Sequence, residues 1–491
     1  MSGAPDKTGS GQVAASRDAS AKVGTLRLFK MHLRVPFLLL ALLEFCICIA
    51  AVHVAVYVRY ETWLGEVQDI RSPWLSATLF AIVMPVAMMA MGLYQSRFRG
   101  GVLGVFLRSV IGFVAGGVFL ALVFYLVPVL YFGRGVFALA VLIAFFMVGT
   151  IRPMFFYYVD RDLLKVRSLV LGAGDKAASI GRRLRRRVDR RGFKIVGFVA
   201  LPTDRGVAVD DAELVELGNR TLLEYCLDQD VDEIVVAADE RRGAMPIEQL
   251  LEAKLHGLEV IDLLSFFERE QGKLPLDILR PDWLIYSDGF ERGVGRDLVK
   301  RAFDIAASAL ILLLAWPLMI GCAVAIKLED GARAPVFYRQ IRTGFLGRPF
   351  GVLKFRSMAV DAERAGGAQW ATKNDSRVTR VGAVIRQSRI DELPQILNVL
   401  RGDMSFVGPR PERPHFVEQL QEQIPYYRER HAVKPGITGW AQVCYPYGAS
   451  LRDSVQKQEF DLFYIKNHTI FLDLLILSQT VEVVCFRTGA R

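Results

Sequence analysis

Apolar positions fall into two patterns along the chain, and the change between them divides it. Four early segments, roughly Val35–Val58, Pro73–Tyr94, Val110–Phe132 and Gly135–Val159, are apolar on every face. Each is long enough for a membrane helix, which needs about 20 residues. Short runs of β-forming residues then alternate with helical stretches. Arg167–Leu171, Lys194–Val199, Glu233–Val236 and Leu258–Asp262 read as strands, and Ala212–Gln229 and Ile247–His256 as helices. That alternation predicts a doubly wound α/β domain. A fifth apolar run, Ile305–Ile326, has Pro317 near its middle and polar, basic residues on both sides. It is long enough to span a bilayer, but proline removes a helix hydrogen bond and bends the segment. Beyond it lie blocks rich in Arg, Gly and Pro with no hydrophobic period. Such loops carry function on a rigid scaffold.

Charge orients the segments. Lys22, Arg27, Lys30 and Arg34 precede the first, and Glu61, Glu66 and Asp69 follow it. Arg97, Arg99 and Arg108 lie between the second and third, and Arg161, Lys165 and Arg167 follow the fourth. By the positive-inside bias, the N-terminus and everything after about residue 160 are cytoplasmic. Basic residues also follow the fifth run: Arg333, Arg339, Arg342, Arg348, Lys354 and Arg356. Both of its ends are therefore expected inside, with residues 301–327 a re-entrant helix bent at Pro317; a plain span is the alternative. Glu44, inside the first segment, is either a functional acid or a helix-packed neutral one.

The chain has 491 residues and a formal charge of +10. Its mean hydropathy of +0.29 places part of it in lipid. The basic residues are not interleaved with aromatics in one module, so nucleic acid is not the expected partner. Six scattered cysteines form no C-x-x-C pair, which suggests neither zinc nor a disulfide framework. Four parts follow: a disordered tail (1–34), four transmembrane helices (35–160), a Rossmann-like domain (161–290) and a final α-rich region (291–491).

Two places hold candidate chemistry. Gly172-Ala-Gly174 with Ala177 forms a G-x-G-x-x-A turn between strand and helix, which can cradle a nucleotide phosphate or serve a purely structural role. The second place is Asp391-Glu392, followed by Pro394. Asp391 reads as a helix cap or as a reactive carboxylate. Arg386 and Arg389 precede the pair, and Arg410 lies in a Pro-Arg-Pro. A helix N-terminus ringed by guanidinium groups suits a polyanion. Glu392 suits Mg²⁺, a hard ion that takes carboxylate and phosphate oxygens.

The blocks Gly351–Met358, Asn374–Gly382, Arg386–Gln395, Gly402–Pro411 and Lys434–Val443 occur in an order that resembles the bacterial polyprenyl-phosphate hexose-1-phosphate transferases. These are the large monotopic phosphoglycosyl transferases of exopolysaccharide and O-antigen synthesis. The resemblance covers about Arg296–Val484 closely, and the front end is similar too. It implies transfer of a hexose-1-phosphate from a UDP-sugar to undecaprenyl phosphate, with UMP released, at the inner membrane. By the same resemblance, Asp391 is the nucleophile that carries a phospho-sugar, and Glu392 its Mg²⁺-associated partner. Lys354, Arg356, Arg386 and Arg410 bind the diphosphate, Pro317 bends the membrane helix, and a homodimer forms. Trp316-Pro317 replaces the family's frequent Ser-Pro, and Cys444–Gly448 departs from its usual loop. Two other classes stay open. A membrane-anchored nucleotide-sugar dehydratase or epimerase would need a cofactor fingerprint and a Tyr-x-x-x-Lys pair, and the pair is absent. A non-enzymatic nucleotide-sensing scaffold would not need Asp391.

Overall fold

The computed structural model describes residues 25–28, 31–60, 73–94, 102–160, 165–185, 187–190, 192–202, 204, 206–240, 245–290, 293–359, 377–445, 448 and 450–486. The segment read as a disordered tail ends in a short antiparallel pair, β1 (Thr25–Leu28) with β2 (Met31–Arg34), in register Thr25 to Arg34. The rest of the tail, the orienting loops at 61–72 and 95–101, and Asn374-Asp375 lie outside the described residues.

Apolar helices follow: α1 (Val35–Tyr57), α2 (Trp74–Ala90), α3 (Val102–Leu126) and α4 (Arg134–Asp160). Three are long enough to cross a bilayer. The second is not: α2 has 17 residues, against the longer helix expected there. The third begins eight positions earlier than its apolar run, because Gly104–Leu107 continue the helical pattern. Small and flexible side chains fill the bundle, among them Ala51, Ala55, Ala77, Met84, Met88 and Ala140. Glu44 is packed between helices and is not free. Its Oε2 accepts from Arg152 Nη2 at 2.8 Å, its Oε1 lies 2.7 Å from Arg152 Nε as an ion pair, and both side chains are fully buried. Two charges withdrawn from lipid in this way satisfy each other and fix α1 against α4.

The middle region is a small parallel sheet with helices. β3 (Val166–Leu171), α5 (Asp175–Arg183), β4 (Phe193–Val199), α6 (Leu222–Asp228), β5 (Glu233–Val236), α7 (Ile247–Leu255) and β6 (Glu259–Asp262) alternate, and the strands stand in the order β4-β3-β5-β6. The strands fall where the sequence pattern puts them. The long helix expected at Ala212–Gln229 does not form: a single 3₁₀ turn at Asp211–Glu213 precedes α6. Thr221 and Glu224 make a capping box that starts the shorter helix at Leu222.

α8 (Leu263–Gln271) and α9 (Pro281–Tyr286) lead into the last region. α10 (Val294–Asp330) holds Pro317 within 37 helical residues. It is followed by the hairpin β7 (Phe337–Thr343) and β8 (Pro349–Phe355), then α11 (Arg380–Gln387), α12 (Gln395–Arg401), β9 (Ser405–Val407), α13 (Pro414–Gln423), β10 (Gly436–Thr438), α14 (Trp440–Cys444), α15 (Leu451–Asn467) and α16 (Ile470–Phe486). One core joins Leu264, Leu274, Leu276 and Leu279 to Val399, Phe406, Trp440, Phe463 and Leu472, so packing crosses the residue-290 boundary. Phe463 and Tyr464 belong to this core.

The two ends of α10 grip the same small body. Arg301 donates to Val399 O and Leu400 O, at the carbonyl end of α12, at 2.5 and 2.7 Å. Glu329 accepts from the amides of Arg380 and Val381, at the start of α11, at 2.7 and 2.9 Å. Asp304 accepts from Ser405 Oγ and Phe406 N, which ties α10 to β9. Between these grips Leu310, Leu313, Leu314, Trp316 and Ile320 are exposed.

Candidate active site

Four pieces of backbone meet at the Asp391-Glu392 pair. β8 brings Lys354, α11 carries Arg386 in its last turn, a 3₁₀ turn at Ile390–Glu392 carries the carboxylates, and the loop after β9 brings Arg410. α11 starts at Thr379, whose hydroxyl accepts from Gly382 N at 2.9 Å. The β9 loop comes close because Gly408 and Gly436 lie against each other; a Cβ on Gly436 would stand 2.1 Å from Gly408 N. Only glycine permits that approach.

Asp391 does not cap a helix. Its 3₁₀ turn ends before α12, whose first residue follows Pro394. Its side chain is buried, at 8% exposure, and has no hydrogen-bond partner among the described residues. Burial pushes its carboxyl above the ordinary range, against the pull of Lys354. Glu392 differs. One oxygen, Oε1, accepts from Lys354 Nζ at 2.9 Å and from Arg410 at 3.0 Å. Burial opposes its ionisation, but Arg410 and Lys354 together hold it well below the usual carboxylate range. Adjacent carboxylates thus do different work: one is clamped as an anion, the other is left without a partner.

The remaining predicted residues divide. Arg386 has no ion pair among the described residues. Arg356 follows β8, and its Nη1 is buried without an acceptor. A buried donor in that state is expensive unless an anion completes it. Pro317 lies inside α10.

Gly172 and Gly174 form the turn after β3, but their cradle is filled from within. Asp239, just after β5, accepts from the amides of Asp175 and Lys176 at 3.2 and 3.0 Å. Asp204 accepts from the Ala173 amide at 2.8 Å. A Cβ on Gly174 would stand 2.1 Å from Asp239 Oδ2. The amides that a nucleotide phosphate would use are committed to the chain's own carboxylates.

Two supports were not legible as site residues. Asn398 is fully buried; it accepts from Leu353 N at 2.9 Å and donates to Gly351 O at 2.8 Å, fixing the strand that bears Lys354. Arg430 donates to Arg410 O and to Asp461, both at about 3 Å, and so holds the Arg410 loop. An Asn amid Ile, Leu and Val in α12 was the available signal for the first.

Comparison with known proteins covers the region that holds these residues. Residues 295–487 match the family model described as bacterial sugar transferase. A UDP-N-acetylgalactosamine-undecaprenyl-phosphate N-acetylgalactosaminephosphotransferase of Aeromonas hydrophila is 50% identical over 193 residues, 39% of this chain and 45% of the relative. A UDP-glucose:undecaprenyl-phosphate glucose-1-phosphate transferase of Xanthomonas campestris is 37% identical over 304 residues, covering 59% of this chain and 60% of the relative. The chain thus spans about half to three fifths of the length of these two relatives. The Caulobacter vibrioides protein named for the same glucose-1-phosphate transfer is 43% identical over 190 residues, which is 38% of this chain but 70% of that protein. With its clamped and open carboxylates in a region matched over most of a relative's length, the chain belongs to the bacterial sugar transferase family.

Proposed function

We propose that this protein moves a sugar-1-phosphate from a UDP-sugar to undecaprenyl phosphate and releases UMP, the first membrane step of exopolysaccharide or O-antigen synthesis. The printed names of the relatives support the substrates: UDP-glucose or UDP-N-acetylgalactosamine as donor and undecaprenyl phosphate as acceptor. The observation that carries the chemistry is Asp391, a buried carboxylate without a hydrogen-bond partner among the described residues, beside uncommitted guanidinium groups.

Donor and acceptor are both anions, so direct attack is disfavoured and a protein nucleophile divides the reaction. In the first displacement an Asp391 oxygen attacks the phosphorus that bears the sugar. The bond to the UMP oxygen breaks and UMP leaves with that electron pair. In the second, an oxygen of the lipid phosphate attacks the same phosphorus. The bond to Asp391 breaks, and its carboxylate is restored. Lys354, Arg356 and Arg410 offset phosphate charge throughout, as phosphoryl transfer requires.

Mg²⁺ fits the donor set. Asp391 and the second oxygen of Glu392 have no hydrogen-bond partner among the described residues. Two carboxylates with substrate phosphates are a usual set for this ion, which would neutralise phosphate charge. The described residues hold no cluster of three or more metal-binding side chains, so substrate oxygens and water would complete the shell.

In this reading α10 is re-entrant. A straight helix would separate Arg301 from Glu329 by ~42 Å, yet both bind the short α11–α12 body. The charge bias supports a site on the cytoplasmic face of the inner membrane, where soluble donor and lipid acceptor would meet. The middle region is a Rossmann-like domain with a closed cradle, and that closure counts against a cofactor-dependent dehydratase or epimerase. A homodimer rests on the resemblance, and the mass of the purified protein in nanodiscs tests it. The central test is UMP release from a panel of UDP-sugars with undecaprenyl phosphate. Absence of release with every donor overturns the reading and favours a scaffold.

A further inference from the structure

Arg389 is the strained residue of the site. It stands between α11 and the turn that carries Asp391, with φ 58° and ψ 14°. This left-handed region is costly for any residue with a Cβ and is the usual place of glycine. Non-glycine strain of this kind gathers at functional sites, where the side chain is worth its cost. The side chain is exposed and makes no hydrogen bond or ion pair among the described residues. Its charge reaches both Asp391 and Glu392.

The positive charges of the site therefore fall into two groups. Lys354 and Arg410 are committed to Glu392. Arg386 and Arg389, at the end of α11, are uncommitted. α11 is also the site helix that packs on the apolar part of α10. Val381 and Ile385 lie with Met319, Cys322 and Ile326, and Glu329 binds its first amides. Val384 of α11 and Leu328 of α10, an element α11 packs against, are both exposed apolar side chains, at 64% and 81%. α12 packs on α10 as well, nearer its start, where Arg301 binds the carbonyls of Val399 and Leu400.

Resting on the function proposed above, we infer that Arg389 binds the phosphate of the lipid acceptor. The lipid arrives along the α10–α11 surface, and Arg389 offsets its charge as its oxygen attacks the phosphorus held by Asp391. The donor diphosphate is held on the Lys354 and Arg410 side. The left-handed backbone turns the guanidinium toward the acceptor's approach.

The test uses the full chain in nanodiscs with Arg389→Gly and Arg389→Lys. Glycine relieves the backbone, so the melting temperature should hold or rise. With donor alone, Arg389→Gly should still give a UMP burst and a mass increment on the Asp391 peptide, with the UDP-sugar KM within about twofold. Its undecaprenyl phosphate KM should rise about tenfold or more, the scale of one charge-assisted contact, and Arg389→Lys should recover most of that loss. An unchanged acceptor KM, or a raised donor KM with a lost burst, overturns the assignment. If the unmodified protein gives no burst with any UDP-sugar, the proposed function fails instead, and the two failures are distinct.

Discussion

Two turns in this chain assemble the groups that hold phosphate, and they end in opposite states. After β3, a glycine turn and a helix start offer backbone amides, and Asp239 and Asp204 take them. Around Asp391, cations outnumber their internal partners. Among the described residues, Arg386 and Arg389 have no partner and Arg356 has a buried nitrogen with no acceptor. The first turn gains local stability by supplying its own anion. The second accepts the cost of unmatched donors and a left-handed arginine, which a bound diphosphate would offset. A motif that matches a phosphate loop therefore says little until the fate of its amides is known.

The sharpest way to test the contrast is Asp391→Asn. It should cut UMP release by at least about a thousandfold and abolish the mass increment on its peptide, with membrane insertion and melting temperature unchanged. Removing the clamp should cost less. Arg410→Ala leaves buried Glu392 with Lys354 as its one direct cation, and kcat/KM should fall by about a hundredfold. Acidity tests the open carboxylate. Asp391 attacks only when ionised, and burial raises its pKa above 3.8. Adduct formation should therefore decline as pH falls, beginning above pH 3.8, and approach tenfold per unit below its pKa. A limb centred at or below pH 3.8 would break the buried-nucleophile picture. The smallest effect belongs to the closed turn. Asp239→Ala frees two amides at the α5 start. Inorganic phosphate should then bind where the unmodified domain shows no binding by calorimetry, while UMP release changes by less than about twofold, because a local contact far from the reacting atoms does not enter the barrier.

Much of this was legible in the residues. Period and length located the parallel strands, because buried β-branched runs need no tertiary context to be recognised. The blocks around Asp391, Lys354 and Arg410 stood out as dense charge among glycine and proline. What the pattern missed has physical causes. The shortened α6 was set by its capping box, a choice of four residues that overrode helical composition across Ala212–Gln229. The closure of the glycine turn depends on Asp239, which is brought in by sheet pairing from over 60 positions away. The roles of Asn398 and Arg430 rest on bonds to the backbone of distant segments. Sequence alone registers such residues only as polar side chains in apolar surroundings.

The shared core around residues 264–279 sets where this protein can be cut. Trp440 donates its indole hydrogen to Gly272 O at 2.7 Å. Lys466 is buried against Glu268 at 2.6 Å. A fragment begun at residue 291 would leave Trp440, Phe463 and a buried lysine without their cover. α8 is shared: Leu264 and Glu268 face the last region, while Leu263, Phe266 and Phe267 pack in the core of the sheet and Arg269 pairs with Glu233 of β5, so a cut anywhere along α8 strips one core or the other.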